Sequence, residues 1–222
     1  MTKDACETRL KILEVASHLF ARYGYEGTSI RDIAGKAEVN IAAINYHFKN
    51  KQSLYWQIYE MAHNRLSEDM KAIAAQEDSL VQFCLKVFDL MLKNGDMVKN
   101  TFKLILSDSI PEPEGEMEAF CANPRRVGPP GGEIMLAVIE KELGEEVCEA
   151  GKFWAVRVLF SSIAHWALMH STSYMKKACQ SNPDIAPDRI RHLIRLHVEA
   201  TLAYLQTHGK DQARFMGATQ GK

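Results

Sequence analysis

Apolar residues recur at intervals of three and four along nearly the whole chain. No stretch alternates apolar and polar at the spacing of two that a half-buried strand requires. A chain written this way folds as helices packed on helices, an all-α protein. Its two shortest helices carry the most information. Thr28 precedes Ile30, Ile33, Ala34 and Ala37, an apolar set at helical spacing, so its hydroxyl is predicted to cap that helix. Asp32 in the first turn suits the positive end of the helix dipole. After Ala37 the chain must turn within a few residues. Asn40 is the predicted cap of a second helix that carries Ile41, Ala42, Ala43 and Asn45 and ends at Tyr46-His47-Phe48. Two helices this short, joined by so tight a turn, have the build of a helix-turn-helix.

The chemistry of the second helix fits a reader of duplex DNA. Small side chains at Ala42 and Ala43 let a backbone press into the major groove, and Asn45 can hydrogen-bond a base edge. Asn40 and Ile41 are expected beside them, facing base edges or thymine methyls. Thr28, Tyr46, His47 and Lys51 are expected to hold phosphates. From about Glu7 to Tyr59 the chain resembles the N-terminal domain of the TetR family of bacterial transcriptional regulators. The resemblance rests on Arg9, Ile12, Leu13, Ala16, Leu19 and Phe20 on one face of a first helix, then Gly24 and Thr28. It closes on Tyr46-His47-Phe48-Lys49-Asn50-Lys51-Gln52-Ser53-Leu54, which matches the family's Tyr-x-Phe-x-x-Lys-x-x-Leu ending. Asn45-Tyr46 stands where many members carry two tyrosines, and Ala42-Ala43 where many carry Gly-Thr or Gly-Ser; both departures bear on which operator is read.

The resemblance implies a three-helix DNA-binding domain, here residues 1–50, and a larger helical effector-binding and dimerisation domain, residues 51–208, with a tail at 209–222 expected to be disordered. It also implies a homodimeric repressor on a palindromic operator, released by a small molecule that is at least partly apolar. The competing reading is an all-helical ligand carrier or enzyme with a vestigial DNA-binding domain. Against it, the sequence holds no nucleophile motif, no metal-ligand spacing and no Gly-rich phosphate loop. The expectation is therefore a regulator and not an enzyme, with no cofactor.

Composition narrows the rest. The chain has 222 residues, 46% hydrophobic and 25% charged, as in ordinary globular proteins. No apolar run reaches the roughly 18 residues of a membrane span, and the N-terminus lacks the apolar stretch of a signal peptide, so a cytoplasmic protein is expected. Cys6, Cys84, Cys121, Cys148 and Cys179 lie far apart, which speaks against a zinc module or a disulfide framework. His165 and His170, like His192 and His197, are five apart and share no helical face, so no metal site is expected. The net charge is −1, but residues 1–55 carry eight Lys and Arg against six Asp and Glu, a small basic bias at the reading end.

Beyond the reading head a fourth helix should run from near Asn50 to Ala74 without a Gly or Pro to interrupt it. A fifth spans Leu80 to Leu92, a sixth about Met97 to Ser107, and a seventh Glu133 to Leu143. The loop between, Asp108 to Gly132, holds five of the seven prolines. An eighth helix from Glu146 to about Met175 is apolar over more than one face. A ninth follows Pro187 with a stripe of Ile190, Leu193, Ile194, His197, Val198, Thr201, Leu202 and Leu205. The eighth and ninth are expected to form a two-fold four-helix interface. Phe83, Phe88, Met91, Phe102, Leu106, Met135, Trp166 and Met169 are the candidate lining of an effector pocket, with His165 as a polar contact.

Overall fold

A computed structural model gives the protein's structure and describes residues 3–106, 110–113, 118 and 130–216. Among the described residues every regular element is helical. In chain order these are α1 (Lys3–Tyr23), α2 (Ile30–Ala37), α3 (Ile41–Phe48), α4 (Lys51–Ala74), α5 (Leu80–Lys93) and α6 (Gly95–Ile105). Then come α7 (Gly132–Leu143), α8 (Glu149–His170), α9 (Ser173–Ser181), α10 (Pro187–His208) and the short α11 (Gln212–Met216). None of these helices is long and apolar enough to cross a membrane. Most of the Asp108–Gly132 loop, with Cys121, Arg125 and Arg126, lies outside the described residues.

The chain divides into two compact units. The first comprises residues 1–64 and 97–123, the second residues 65–96 and 124–222. The division differs from the boundary after residue 50 expected from sequence. The start of α4 belongs to the first unit because Leu54, Tyr55 and Ile58 complete its core beside Ile12, Leu13, Ala16 and Phe20 of α1, Ile33 and Ala37 of α2, and Ile44 and Phe48 of α3. Leu104 of α6 joins the same core, and the Tyr55 hydroxyl donates to its carbonyl at 2.8 Å. Tyr55 also meets the rings of Phe20 and Tyr25 edge-on, with centroids 5.2 and 5.3 Å away.

In the second unit α8 is the central rod, with α5, α7, α10 and α11 all packed against it. That placement explains why its sequence is apolar on several faces: Ala155, Val156, Leu159, Phe160, Ile163 and Ala167 are all buried. The expected single helix to Met175 instead ends at His170. Ser171 and Thr172 turn their hydroxyls back onto the carbonyls of Leu168 and Met169, and Thr172 Oγ1 accepts from Met175 N to start α9. Such local side-chain bonds compete with helix continuation. The start of the tail expected to be disordered instead forms α11. Phe215 packs against Trp154 at 5.6 Å, and Cys148 N donates to the Gly209 carbonyl at 2.7 Å. Residues 217–222 lie outside the described part.

Candidate nucleic-acid interface

The geometry of the reading head is set by caps and one left-handed residue. The helix α2 starts on Ser29, not on Thr28. Ser29 Oγ accepts from Asp32 N at 3.1 Å, and the Asp32 carboxylate accepts from Ser29 N at 3.0 Å, a reciprocal capping box. The hydrogen bonds from the Ser29 side chain and then its backbone hold the Asp32 carboxyl below the ordinary carboxylate value. The sequence signal was the Ser29-x-x-Asp32 spacing. Thr28 is buried, its hydroxyl donating to the Gly24 carbonyl at 2.9 Å and its N–H to Tyr25 O. It neither caps α2 nor presents its hydroxyl to a phosphate, which corrects both expectations for this residue.

The tight turn after α2 depends on Glu38, a non-glycine residue at φ 55°, ψ 41°. Its N–H reaches the Ala34 and Gly35 carbonyls, as a left-handed helix cap does. Lys11 Nζ holds its carboxylate at 2.8 Å, which lowers that carboxyl's pKa. Asn40 then caps α3 as expected, accepting from Ala43 N at 2.7 Å. Within α3, Ile44 and Phe48 are fully buried one turn apart, fixing the helix to the core. The opposite face is open: Asn40, Ile41, Ala42, Asn45 and Tyr46 are exposed, and Ala43 and His47 half-buried. Tyr46 is 79% exposed, an aromatic ring held in water beside His47, whose centroid lies 5.1 Å away.

The helix α3 has eight residues, and an α-helix, about 10–12 Å across with its side chains, fits a major groove about 12 Å wide. After it, Lys49 takes φ 65° and Asn50 caps α4 by accepting from Ser53 N at 2.7 Å. The start of α4 near Asn50 is the one expected from sequence, whereas the positive φ at Lys49 is not. Lys51 lies at the start of α4, its ammonium 4.0 Å from the Tyr25 ring centroid and donating to Tyr25 O at 3.1 Å. An ammonium has three donors, so the anchored Lys51 keeps hydrogen-bonding capacity for a phosphate.

Residues 12–58, the stretch holding this geometry, match the family described as bacterial regulatory proteins, tetR family. The N-terminal domain belongs to the TetR family. It is 41% identical over 66 residues to the HTH-type transcriptional regulator AcrR of Shigella flexneri, covering 30% of this chain and 31% of that protein. It is 32% identical over 85 residues to the biofilm operon icaADBC HTH-type negative transcriptional regulator IcaR of Staphylococcus aureus (strain Newman), covering 36% and 46%. The match thus spans a third to a half of these relatives, which are transcriptional regulators rather than enzymes. The fold as a whole is similar to a crystal structure of a tetR-family transcriptional regulator from Streptomyces coelicolor, with a TM-score of 0.63 and 18% identity over 97% of this chain and 90% of that one.

The residues expected around an effector scatter more. Phe83, Phe88 and Met91 on α5 and Met135 on α7 are fully buried in the second unit. Trp166 and Met169 on α8 are half-buried. His165 is exposed on α8, and Leu106 is 71% exposed, so neither is placed as a pocket wall in this chain. Phe102 and Leu106 belong to the first unit, not the second. Among the described residues no three His, Cys, Asp or Glu gather where they could hold a metal ion.

Proposed function

We propose that the chain is a one-component transcriptional repressor. A homodimer places α3 of each copy in successive major grooves of a palindromic operator, and a small, at least partly apolar molecule binding the second unit releases it. The observation that carries this reading is the face of α3: Ile41, Ala42, Asn45 and a 79%-exposed Tyr46 turn to solvent, while Ile44 and Phe48 are sealed in the core. Monomeric packing gives no reason to keep an aromatic ring in water, whereas a groove-facing helix does. Asn40, Ile41, Ala42, Ala43 and Asn45 meet base edges; Tyr46, His47 and Lys51 meet phosphates.

A two-fold dimer is favoured because one eight-residue helix covers only a few base pairs. The outer face of α10 offers an interface: Leu193 and Leu196 are each 47% exposed and Tyr204 37%. The contact is assigned to α8 and α10, the helices read from sequence as the eighth and ninth. Repression is favoured by the family resemblance and by the name of IcaR, a negative regulator. The effector space is assigned to the surroundings of Phe83, Phe88, Met91, Met135, Trp166 and Met169. An effector acts only through a difference in affinity between DNA-competent and released arrangements. A cytoplasmic location accompanies the DNA partner.

The test is selection of bound duplexes from a random pool. An enriched inverted repeat that Tyr46→Ala abolishes, with the variant's melting temperature unchanged, supports the reading. Folded protein at low salt with no enrichment, and no molecule released from it on denaturation, overturns it.

A further inference from the structure

The first unit contains an open cleft of about 710 Å³ where the C-terminal half of α1 meets α2 and α6. Arg22, Lys36 and Lys103 line it from three different helices, joined by His18 and Asn100. Its remaining walls are apolar: Val15, Leu19 and Ala21, the last two buried. None of the described residues lining it is a carboxylate, and none is an α3 residue.

Among the described residues Arg22, Lys36 and Lys103 make no ion pair. The Arg22 guanidinium rests over the Tyr23 ring at 5.2 Å, which leaves its N–H groups free to donate. Lys36 stabilises the Asp32 carboxylate one turn earlier only through space. Three cationic side chains that line one concavity, with no carboxylate among its described lining residues, bias the potential there towards positive. Elsewhere on the same unit the pattern is the reverse, Lys11 being closed onto Glu38 at 2.8 Å.

We propose that this cleft binds a small anionic molecule with one carboxylate or phosphate head and a short apolar body. The head lies between Arg22, Lys36 and Lys103, where charge-assisted hydrogen bonds replace its water. The apolar body lies on Val15, Leu19 and Ala21, and the surface it removes from water is its own and that of half-buried Val15. The volume falls in the range of small-molecule sites, roughly 300–1,000 Å³. A nucleic-acid backbone supplies the charge but nothing to fill the apolar floor, so the observations favour the small molecule. The binding claim is independent of what the α3 face reads.

The test is titration calorimetry of the full chain with octanoate and octyl phosphate, with octanol, octyltrimethylammonium and inorganic phosphate as controls. One or both octyl anions are expected to bind at least about tenfold tighter than every control, the better of them identifying the head. Lys36→Gln and Lys103→Gln should each weaken that anion about tenfold, the scale of one charged hydrogen bond. Both side chains are exposed, so the melting temperature without ligand should not move. Arg22→Gln gives an independent third reading if either lysine variant fails to fold. Binding unchanged in the Lys36→Gln/Lys103→Gln double variant would place the anion elsewhere and overturn the proposal. Inorganic phosphate binding as tightly as octyl phosphate would overturn the amphiphile. Loss of random-sequence duplex binding in the double variant, with a shallower salt slope and no octyl anion bound by the parent chain, would give the cleft to DNA and overturn it as well.

Discussion

Thr28→Val separates two roles that the sequence alone conflates. In the structure Thr28 is 2% exposed and its hydroxyl donates to the Gly24 carbonyl at 2.9 Å. Valine keeps the shape and removes the donor. The bond lost is neutral, worth about 0.5–1.5 kcal/mol net. Leaving a fully buried carbonyl unpaired would cost about 1–3 kcal/mol, but Gly24 is only half-buried, so water can take up part of that loss. The added methyl returns up to about 0.8 kcal/mol of burial. The net expectation is a destabilisation of about 1 kcal/mol, or a fall of about 2–4 °C in melting temperature for a chain of this size. Operator affinity measured well below the melting temperature should stay within about twofold, and its salt slope should not change, because no phosphate contact is removed. Thermal unfolding followed by circular dichroism, with fluorescence anisotropy on labelled operator across a salt series, reads both. A salt slope shallower by about 0.9 per protomer with an unmoved melting temperature would refute the reasoning, since that is the signature of a lost phosphate contact.

Lys51→Ala should weaken binding about equally on every duplex and make the salt slope shallower by about 0.9 per contact, whereas Asn45→Ala should relax choice at one base position by about 1–3 kcal/mol; competition binding across single-base operator variants distinguishes the two. Burial pushes the Tyr55 hydroxyl up to about 12, from the ordinary value of 10. Between these values the unfolded chain loses the proton and the folded one keeps it, so the contribution of Tyr55 is fully present below pH 10 and lost as pH rises through about 12. Tyr55→Phe should flatten that alkaline loss in urea unfolding curves taken from pH 9 to pH 11.5, and an unaltered slope would count against it. Burial also raises the Cys84 thiol well above its usual range. Cys84 should therefore resist a disulfide reagent at pH 8 until denaturant is added, while exposed Cys6 reacts at once, as peptide mapping of the labelled protein would show.

The second unit illustrates why a pattern of apolar residues constrains packing without placing a site. Phe83, Phe88 and Met91 read equally well as core or as the lining of a ligand space, and their full burial satisfies either use. Half-buried residues on the helix packed against α5, such as Trp166 and Met169 of α8, keep the open face a ligand would need to enter. His165 fails that test because its side of α8 faces solvent in the single chain.

The sequence by itself determined what depends on neighbours within a turn or two. The all-helical class, the α2–turn–α3 reading head, the Asn40 cap and the unbroken α4 all follow from periodicities and hydrogen bonds that span three or four residues. So does the open face of Ile41, Asn45 and Tyr46 on α3, whereas its core anchors Ile44 and Phe48 are known from their burial in the structure. The tertiary structure decided whatever requires knowing what lies on the far side of a residue. Either Thr28 or Ser29 could cap α2, and burial of Thr28 against Gly24 leaves the cap to Ser29. The Gln212–Met216 helix is only five residues long, and it is held because Phe215 finds Trp154 of α8 and Tyr204 of α10. The cleft likewise draws Arg22, Lys36 and Lys103 together across about eighty residues of sequence. No local spacing encodes that convergence, because it exists only once α6 has packed beside α1.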